Sequence, residues 1–144
     1  MIDPSNVLPV ADNELLARFI VYSNEKRKDG TVKHKLFLPY KHVELSVNRH
    51  REATDEETWH AGLDVAEERQ RTLYGLANIR ASSCRIDKLS VVPDPILPKN
   101  PNHANITGYP HAKEDQMAIA QVLAASIEGK WIAAPGQDGP DDDS

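Results

Sequence analysis

The sequence predicts an α+β domain, in which an antiparallel or mixed sheet of five to six strands carries two helices packed on one face. Several short segments alternate between apolar and polar residues with a period of two, which is typical of strands with one wet face. Two longer segments repeat their apolar residues with helical spacing, and one of them opens with a capping box. The 144 residues, 40% of them hydrophobic, are enough to form one buried core.

The N-terminal part of the chain predicts an arm followed by a buried strand. Residues 1–13 contain Pro4 and Pro9 and show little periodicity, so we expect an extended N-terminal arm. Residues 18–22 have the β-branched and aromatic content of a strand, although Asn13 is also suited to cap a short helical turn over residues 14–17. A single domain is expected to span residues 14–134.

Residues 24–51, which we call the basic segment, predict a turn and two strands. Asp29 and Gly30 favour a tight turn, because glycine adopts positive φ at little cost. The alternation of Val32, His34, Leu36 and Leu38 predicts a second strand that ends at Pro39. The same alternation over residues 43–47 predicts a third strand, so the first third of the chain is expected to form an antiparallel meander with a basic hairpin.

Two helices and the remaining strands follow. Thr54 and Glu57 have the spacing of a capping box, which predicts a helix over residues 55–71 with Trp59, Leu63 and Ala66 on its apolar line. Residues 73–81, 89–92 and 104–107 predict further strands. A second helix is expected over residues 111–128, where Gly129 would end it. The tail, residues 135–144, is acidic and almost without apolar side chains, and we expect it to be disordered.

Charge is distributed unevenly along the chain. The basic segment has five Lys and three Arg against two Glu and one Asp, a balance of +5, so the rest must sum to −10 to give the net −5. Such asymmetry suits an anionic ligand, a nucleic acid or an acidic protein partner. Alternatively, the lysines protect an exposed hairpin from edge pairing. The candidate binding residues are Lys26, Arg27, Lys28, Lys33, Lys35, Arg49 and Arg51; Lys41 lies in the same segment.

Residues 93–111 form a second candidate surface, which we call the proline-rich segment. It holds five of the ten prolines, so its backbone is stiff and holds its polar side chains in place. His103 is a candidate general acid or base, and Asp94 is a candidate to orient it. The alternative is that His103 pins the segment by bonding backbone carbonyls. Asn102 and His111 are further candidate binding residues.

Other kinds of site find little support in the sequence. Cys84, the only cysteine, excludes an intramolecular disulfide and is more typical of a small buried hydrophobe than of a nucleophile. No metal-binding spacing and no phosphate-loop or dinucleotide fingerprint occurs, so we predict no metal and no cofactor. No apolar run approaches the length of a membrane span and no leader is recognisable, so a cytoplasmic protein without membrane contact is expected.

Several segments carry a resemblance to a known family. Residues 45–49, Trp59, residues 74–77, the stretch from Asn100 to Pro110 and the Ala-rich final helix resemble those of small, single-domain bacterial proteins of uncharacterised function. The resemblance spans residues 18–125. It implies one compact domain and draws attention to His103, but it implies no activity.

Two functional hypotheses follow. The first is a non-catalytic binding or regulatory module that uses the basic hairpin and the His103 segment as contact surfaces. The alternative is a small hydrolase or transferase acting on a phosphate-bearing substrate, with His103 as acid or base, Asp94 orienting it, and Arg49 or Lys35 holding the anion. In addition, Asp138 and Asp141–Asp143 are expected to fold back on the basic segment and compete with an anionic partner.

Overall fold

The protein is built on a six-stranded antiparallel sheet. The computed structural model describes residues 8–39, 44–86 and 88–141. The strands lie in the order β4-β5-β2-β1-β3-β6. Their bounds are β1 Leu15–Ile20, β2 Leu45–Arg49, β3 Gly75–Arg80, β4 Ser90–Pro93, β5 His103–Thr107 and β6 Ile132–Ala133. The predicted α+β class and strand number are confirmed.

The two long helices cover opposite faces of the sheet. They are α1, Asp55–Glu68, and α3, Lys113–Ala125; a short helix α2, Ala81–Cys84, lies between them in the chain. The core under α3 contains Leu16 and Ile20, whereas the core under α1 contains Ala17 and Phe19. The expectation that both helices share one face is wrong. Strand β1 is apolar on both sides, so each side needs its own cover.

The predicted second strand is also wrong. His34–Phe37 forms a 3₁₀ helix, preceded by another at Ser23–Glu25, and between them only Lys26 and Val32 form an isolated antiparallel bridge. Leu36 and Phe37 are adjacent in sequence and both fully buried. Neighbouring residues of a strand point to opposite faces, so a half-wet strand could not bury both. The 3₁₀ helix lets both join the core that contains α3.

Helix α1 begins as predicted but packs through other residues. Thr54 Oγ1 accepts from the Glu57 amide at 3.1 Å, and the Glu57 carboxylate accepts from the Thr54 amide at 3.2 Å. Leu63, expected on the apolar line, is 57% exposed. A side chain at Gly62 would lie 2.8 Å from the Phe19 ring. Since the helix approaches the sheet through its smallest residues, the larger Leu63 faces outward.

Hydrogen bonds tie the proline-rich segment to the sheet. The Asp94 amide donates to the His103 carbonyl at 2.9 Å, and Ile96 and Asn100 exchange two backbone hydrogen bonds. Asn100 also bonds the side chain of Asn48 in β2. This segment therefore turns back on itself and delivers strand β5 to the sheet.

The structure also differs from the sequence prediction in its short elements and helix ends. Strand β6 and helix α2 were not predicted, and α3 is shorter at both ends than expected. In the tail, the Gln137 amide donates to Ala134 O and the Asp141 amide to Lys28 O. Within the described ranges, no helix has the length and apolar character needed to cross a bilayer. Residues 1–7 of the arm, Tyr40, Lys41, Val43, Asp142 and Asp143 lie outside the described residues.

Candidate functional site

A cavity of about 370 Å³ lies beside the basic segment. It combines two buried charged side chains with two exposed cationic ones, an aromatic ring and an apolar edge, and we call it the anion pocket. Its lining residues are Arg18, Tyr22, Glu25, Lys35, Leu38, Pro39 and Arg69. Among the described residues that line it, three are cationic and one is acidic, which gives this part of the pocket a net positive charge at neutral pH.

Arg18 forms the floor of the anion pocket. It lies in the middle of the apolar strand β1 and is only 8% exposed. Its Nε donates to Leu36 O at 2.8 Å and its Nη1 to Ser46 O at 2.9 Å. Burial lowers the pKa of the guanidinium to about 10, and the Glu25 carboxylate opposes this shift. Arg18 therefore remains cationic at neutral pH and is held rigidly by backbone carbonyls.

Glu25 places a buried carboxylate in the same pocket. The side chain sits at the end of the first 3₁₀ helix and is 6% exposed. Its Oε1 accepts from the Tyr22 amide at 3.3 Å. Burial raises the pKa of this carboxyl, while Arg18 and the backbone amides hold the rise in check. Glu25 and Arg18 influence each other through their charges but form no direct ion pair.

The rim of the pocket adds exposed cations and an aromatic ring. Lys35, from the second 3₁₀ helix, and Arg69, from the end of α1, are both exposed. The Arg71 guanidinium lies 4.6 Å from the centre of the Tyr22 ring. This distance is typical of a cation–π contact and keeps a further positive charge beside the pocket.

The other cations of the basic segment have different surroundings. Lys26 Nζ lies 5.0 Å from the centre of the Trp131 ring and 5.5 Å from that of the Tyr74 ring, so its charge makes cation–π contacts within the fold. Arg27 Nη1 donates to Val32 O at 3.0 Å. Lys28 and Lys33 contribute backbone hydrogen bonds, to Asp141 and to Glu25. Of the predicted binding residues, the structure brings only Lys35 into the anion pocket.

Arg49 and Arg51 lie apart from this pocket. Arg49 is 3% exposed and clasps the Glu14 carboxylate with Nε and with Nη2, the latter at 3.0 Å. Its Nη1 also donates to Leu8 O at 2.7 Å. Arg51 is half-buried and has a positive φ of 40°. The contacts of Arg49 tie the N-terminal residues to β2, which is a structural task.

His103 and Asp94 do meet in the structure. His103 is 8% exposed, and its Nδ1 lies 2.9 Å from Asp94 O and 3.3 Å from the Asp94 carboxylate. That carboxylate also accepts from Asn105 Nδ2 at 2.9 Å. The contact with the Asp94 carboxylate fits the interpretation of His103 as an acid or base that Asp94 orients. Its burial against the Asp94 carbonyl fits the alternative, in which His103 pins the segment.

Asn102 and His111, the remaining candidates, are separated by β5. Asn102 is buried and lines a cavity of about 150 Å³ together with Asn48, Asn100 and Thr58. Its Oδ1 receives no hydrogen bond from any described residue. His111 is exposed at the start of the final helical region. The structure therefore does not join these two residues into one site.

Cysteine chemistry receives little support from the geometry. Cys84 is fully buried in the core, and burial raises the pKa of its thiol to about 12. A thiol in this state is a poor nucleophile. In the part of the chain that the structure describes, His, Cys, Asp and Glu side chains do not gather in threes at metal-binding distance.

The anion pocket was not predicted from the sequence. One signal was available, because Arg18 interrupts the apolar run from Leu15 to Val21, and a charge inside a buried strand needs partners. Glu25 and Arg69 gave no comparable signal, since each stands among other charged residues on what looks like a solvated surface.

Comparison with known proteins adds no relative. No family model, no curated protein and no solved structure matches the chain. The resemblance to small bacterial proteins stays a prediction, and function has to be argued from the geometry.

Proposed function

We propose that the protein is a non-catalytic binding or regulatory module, and that its ligand is a small oxyanion or a group that bears one. The anion pocket supports this proposal through Arg18, a buried guanidinium fixed by Leu36 O and Ser46 O. These two hydrogen bonds use two of the five N–H donors of an arginine. No nitrogen of Arg18 is both buried and without a partner, so the donors that remain face the cavity and can bind an acceptor there.

The charges around Arg18 favour an anion as that acceptor. Lys35 and Arg69 add two exposed cations, whereas Glu25 is the one acidic side chain among the lining residues that the structure describes. The pocket therefore attracts anions from solution, and the buried Arg18 is its most rigidly held donor. Cys84 is a free thiol, which supports the further proposal of a reducing compartment such as the cytoplasm.

Titration of the protein with inorganic phosphate tests this function. We expect amide NMR shifts at Tyr22, Glu25 and Lys35, and saturable heat by calorimetry. Arg69→Gln and Lys35→Gln should each weaken binding roughly fivefold, since a partly exposed charge contributes up to about 1 kcal/mol. Lys33→Gln, two residues from Lys35 but outside the pocket, is the matched control. Absence of saturable binding, or equal weakening by Lys33→Gln, would overturn the proposal.

A second candidate is a hydrolase or transferase that acts on a phosphate-bearing substrate. The contact between His103 and the Asp94 carboxylate favours it, because such a carboxylate fixes the tautomer of a general acid or base. Arg49, assigned to the anion in this hypothesis, is occupied by Glu14. His103 is buried against a loop carbonyl. The binding module therefore has the better support, and hydrolysis of p-nitrophenyl phosphate that is lost in His103→Ala would reverse this order.

A further inference from the structure

The anion pocket contains a carboxylate that a simple anion site would not need. Glu25 is 6% exposed and faces the same cavity as Arg18, Lys35 and Arg69. A fully ionised anion without a proton would meet repulsion from Glu25 wherever it binds in this cavity. The position of Glu25 therefore bears on which anions the pocket accepts.

The Glu25 carboxylate can accept a further hydrogen bond from a ligand. A carboxylate has about four lone-pair sites. The amide of Tyr22 donates to Oε1 at the long distance of 3.3 Å, and backbone hydrogen bonding at Val21 and Tyr22 stabilises the ionised form only in part. Neither carboxylate oxygen is both buried and without a partner, so the capacity that is left faces the cavity and can be used by a ligand that brings a donor.

Glu25 and Arg18 place an acceptor and a donor in the same cavity. Both side chains line the cavity of about 370 Å³, and they form no ion pair with each other. The cavity therefore offers hydrogen-bond donors, through Arg18, and an acceptor, through Glu25. Leu38 and Pro39 form an apolar edge beside them.

We infer that the anion pocket selects oxyanions that carry their own O–H or N–H donor, such as hydrogen phosphate, and discriminates against oxyanions without one, such as sulfate. This inference rests on the proposed function. Arg18, Lys35 and Arg69 bind the anionic oxygens, and the Glu25 carboxylate accepts the hydrogen bond from the ligand's own proton. An unprotonated anion can offer nothing to Glu25 and is repelled by it.

Phosphate and sulfate form a matched pair of probes. At mildly alkaline pH both are tetrahedral dianions of similar size, but only hydrogen phosphate carries a proton. We expect the wild-type protein to bind phosphate roughly tenfold to a hundredfold more tightly than sulfate, the range expected for one hydrogen bond to a charged group. The two titrations are run by calorimetry at equal ionic strength, because screening affects both anions alike.

Glu25→Gln is the deciding variant. Its amide has nearly the same shape but no charge and can donate to sulfate, so sulfate binding should tighten and the preference for phosphate should collapse. Glu25→Asp keeps the negative charge but places the carboxylate farther from the ligand, because its side chain is shorter. It should reduce the preference for phosphate in part. Glu44→Gln, an exposed glutamate of the same segment, is the control and should leave the preference unchanged.

The outcomes separate this inference from the proposed function. Equal binding of phosphate and sulfate by wild type, with both weakened by Lys35→Gln, would overturn the selectivity and leave the anion site intact. If a folded Glu25→Gln still preferred phosphate, a group other than Glu25 would accept the hydrogen bond from the ligand, and the role inferred for Glu25 would be wrong. If neither anion binds, the proposed function fails and the inference fails with it. The wild-type comparison remains decisive even if Glu25→Gln does not fold.

Discussion

The side chains of Asn48 and Asn100 form a reciprocal pair of amide hydrogen bonds. Asn48 Nδ2 donates to Asn100 Oδ1 at 3.0 Å, and Asn100 Nδ2 donates to Asn48 Oδ1 at 2.9 Å. Both residues are buried, 52 positions apart in sequence, and they join strand β2 to the turn of the proline-rich segment. Because each amide satisfies the other, neither polar group pays the cost of burial alone.

We expect Asn100→Ala to lower the free energy of unfolding by about 2 to 3 kcal/mol, because it removes both hydrogen bonds and leaves the Asn48 amide buried without them. Urea denaturation measures the change. Asn105→Ala, which removes the exposed bond to Asp94, should cost under about 1 kcal/mol. Equal losses in the two variants would contradict a structural role for the reciprocal pair.

Arg49 should prove structural. Arg49→Met leaves the Leu8 carbonyl without this donor and the Glu14 carboxylate with only the Ala11 amide, and breaking a buried ion pair of this kind costs about 3 to 5 kcal/mol. We expect a large loss in denaturation experiments, whereas Arg51→Met should cost much less. A smaller loss accompanied by weaker phosphate binding would instead return Arg49 to the ligand site. At 3% exposure, Arg49 has little surface to offer a ligand.

His103 and Asp94 can be separated by two substitutions. His103→Ala removes the contact of Nδ1 with Asp94 O and should cost about 1 to 3 kcal/mol of stability, because a partly buried carbonyl loses its donor. Asp94→Asn keeps that carbonyl, changes only the exposed carboxylate and should cost within about 0.5 kcal/mol. Thermal unfolding provides the measurement. If His103→Ala leaves stability intact, the interpretation of His103 as a pin is wrong.

The buried carboxyl of Glu25 should make stability depend on pH. Its pKa in the folded protein is raised above the ordinary value of 4.5, so the folded state binds the proton more tightly than the unfolded state. Stability from this group is therefore lost as pH rises through the window above 4.5, at no more than about 1.4 kcal/mol per pH unit. Glu25→Gln has no such proton.

Melting temperatures of wild type and Glu25→Gln, measured between mildly acidic and mildly alkaline pH, test this directly. The difference between the two proteins should move in favour of the variant as pH rises. A difference that stays constant across the window, or that moves in favour of wild type, would mean that the carboxyl is not destabilised by burial.

The acidic tail is expected to compete for the basic segment. The Asp141 amide donates to Lys28 O at 2.6 Å and Lys130 Nζ donates to Asp141 O at 3.3 Å, so the described part of the tail lies against this segment. Deletion of residues 136–144 should strengthen binding of a single-stranded oligonucleotide roughly threefold to tenfold at low salt, and much less at high salt.

Charge and bulk can be distinguished in the full-length chain. Replacement of Asp138, Asp141, Asp142 and Asp143 by Asn keeps the backbone contacts but removes the negative charge. It should reproduce most of the gain seen by fluorescence anisotropy. Unchanged affinity in both the deletion and the substituted protein would refute the competition.

The sequence predicted best what depends on neighbouring residues. The capping box of Thr54 and Glu57 is a local arrangement, and helix α1 begins where it indicates. The alternation around Leu36 predicted a strand. The structure has a 3₁₀ helix there, because this conformation buries Leu36 and its neighbour Phe37 in the same core. This burial depends on packing against α3, which local periodicity does not contain.

The candidate site was harder to predict, for the same physical reason. Arg18, Glu25 and Arg69 come together only when β1, the first 3₁₀ helix and the end of α1 assemble. Their spacing along the chain carries no motif. His103 and Asp94, by contrast, are nine residues apart on either side of one turn, so their contact could be expected from a stiff connection.

The side chains of strand β1 alternate between the two cores, with Leu16 and Ile20 on one side and Ala17 and Phe19 on the other. Loss or gain of a single residue within Leu15–Ile20 would exchange every side chain beyond that point between them. Phe19 would then leave its place beside Gly62 of α1, and Arg18 would turn away from its carbonyl acceptors. This strand is therefore where the protein should tolerate changes of length least.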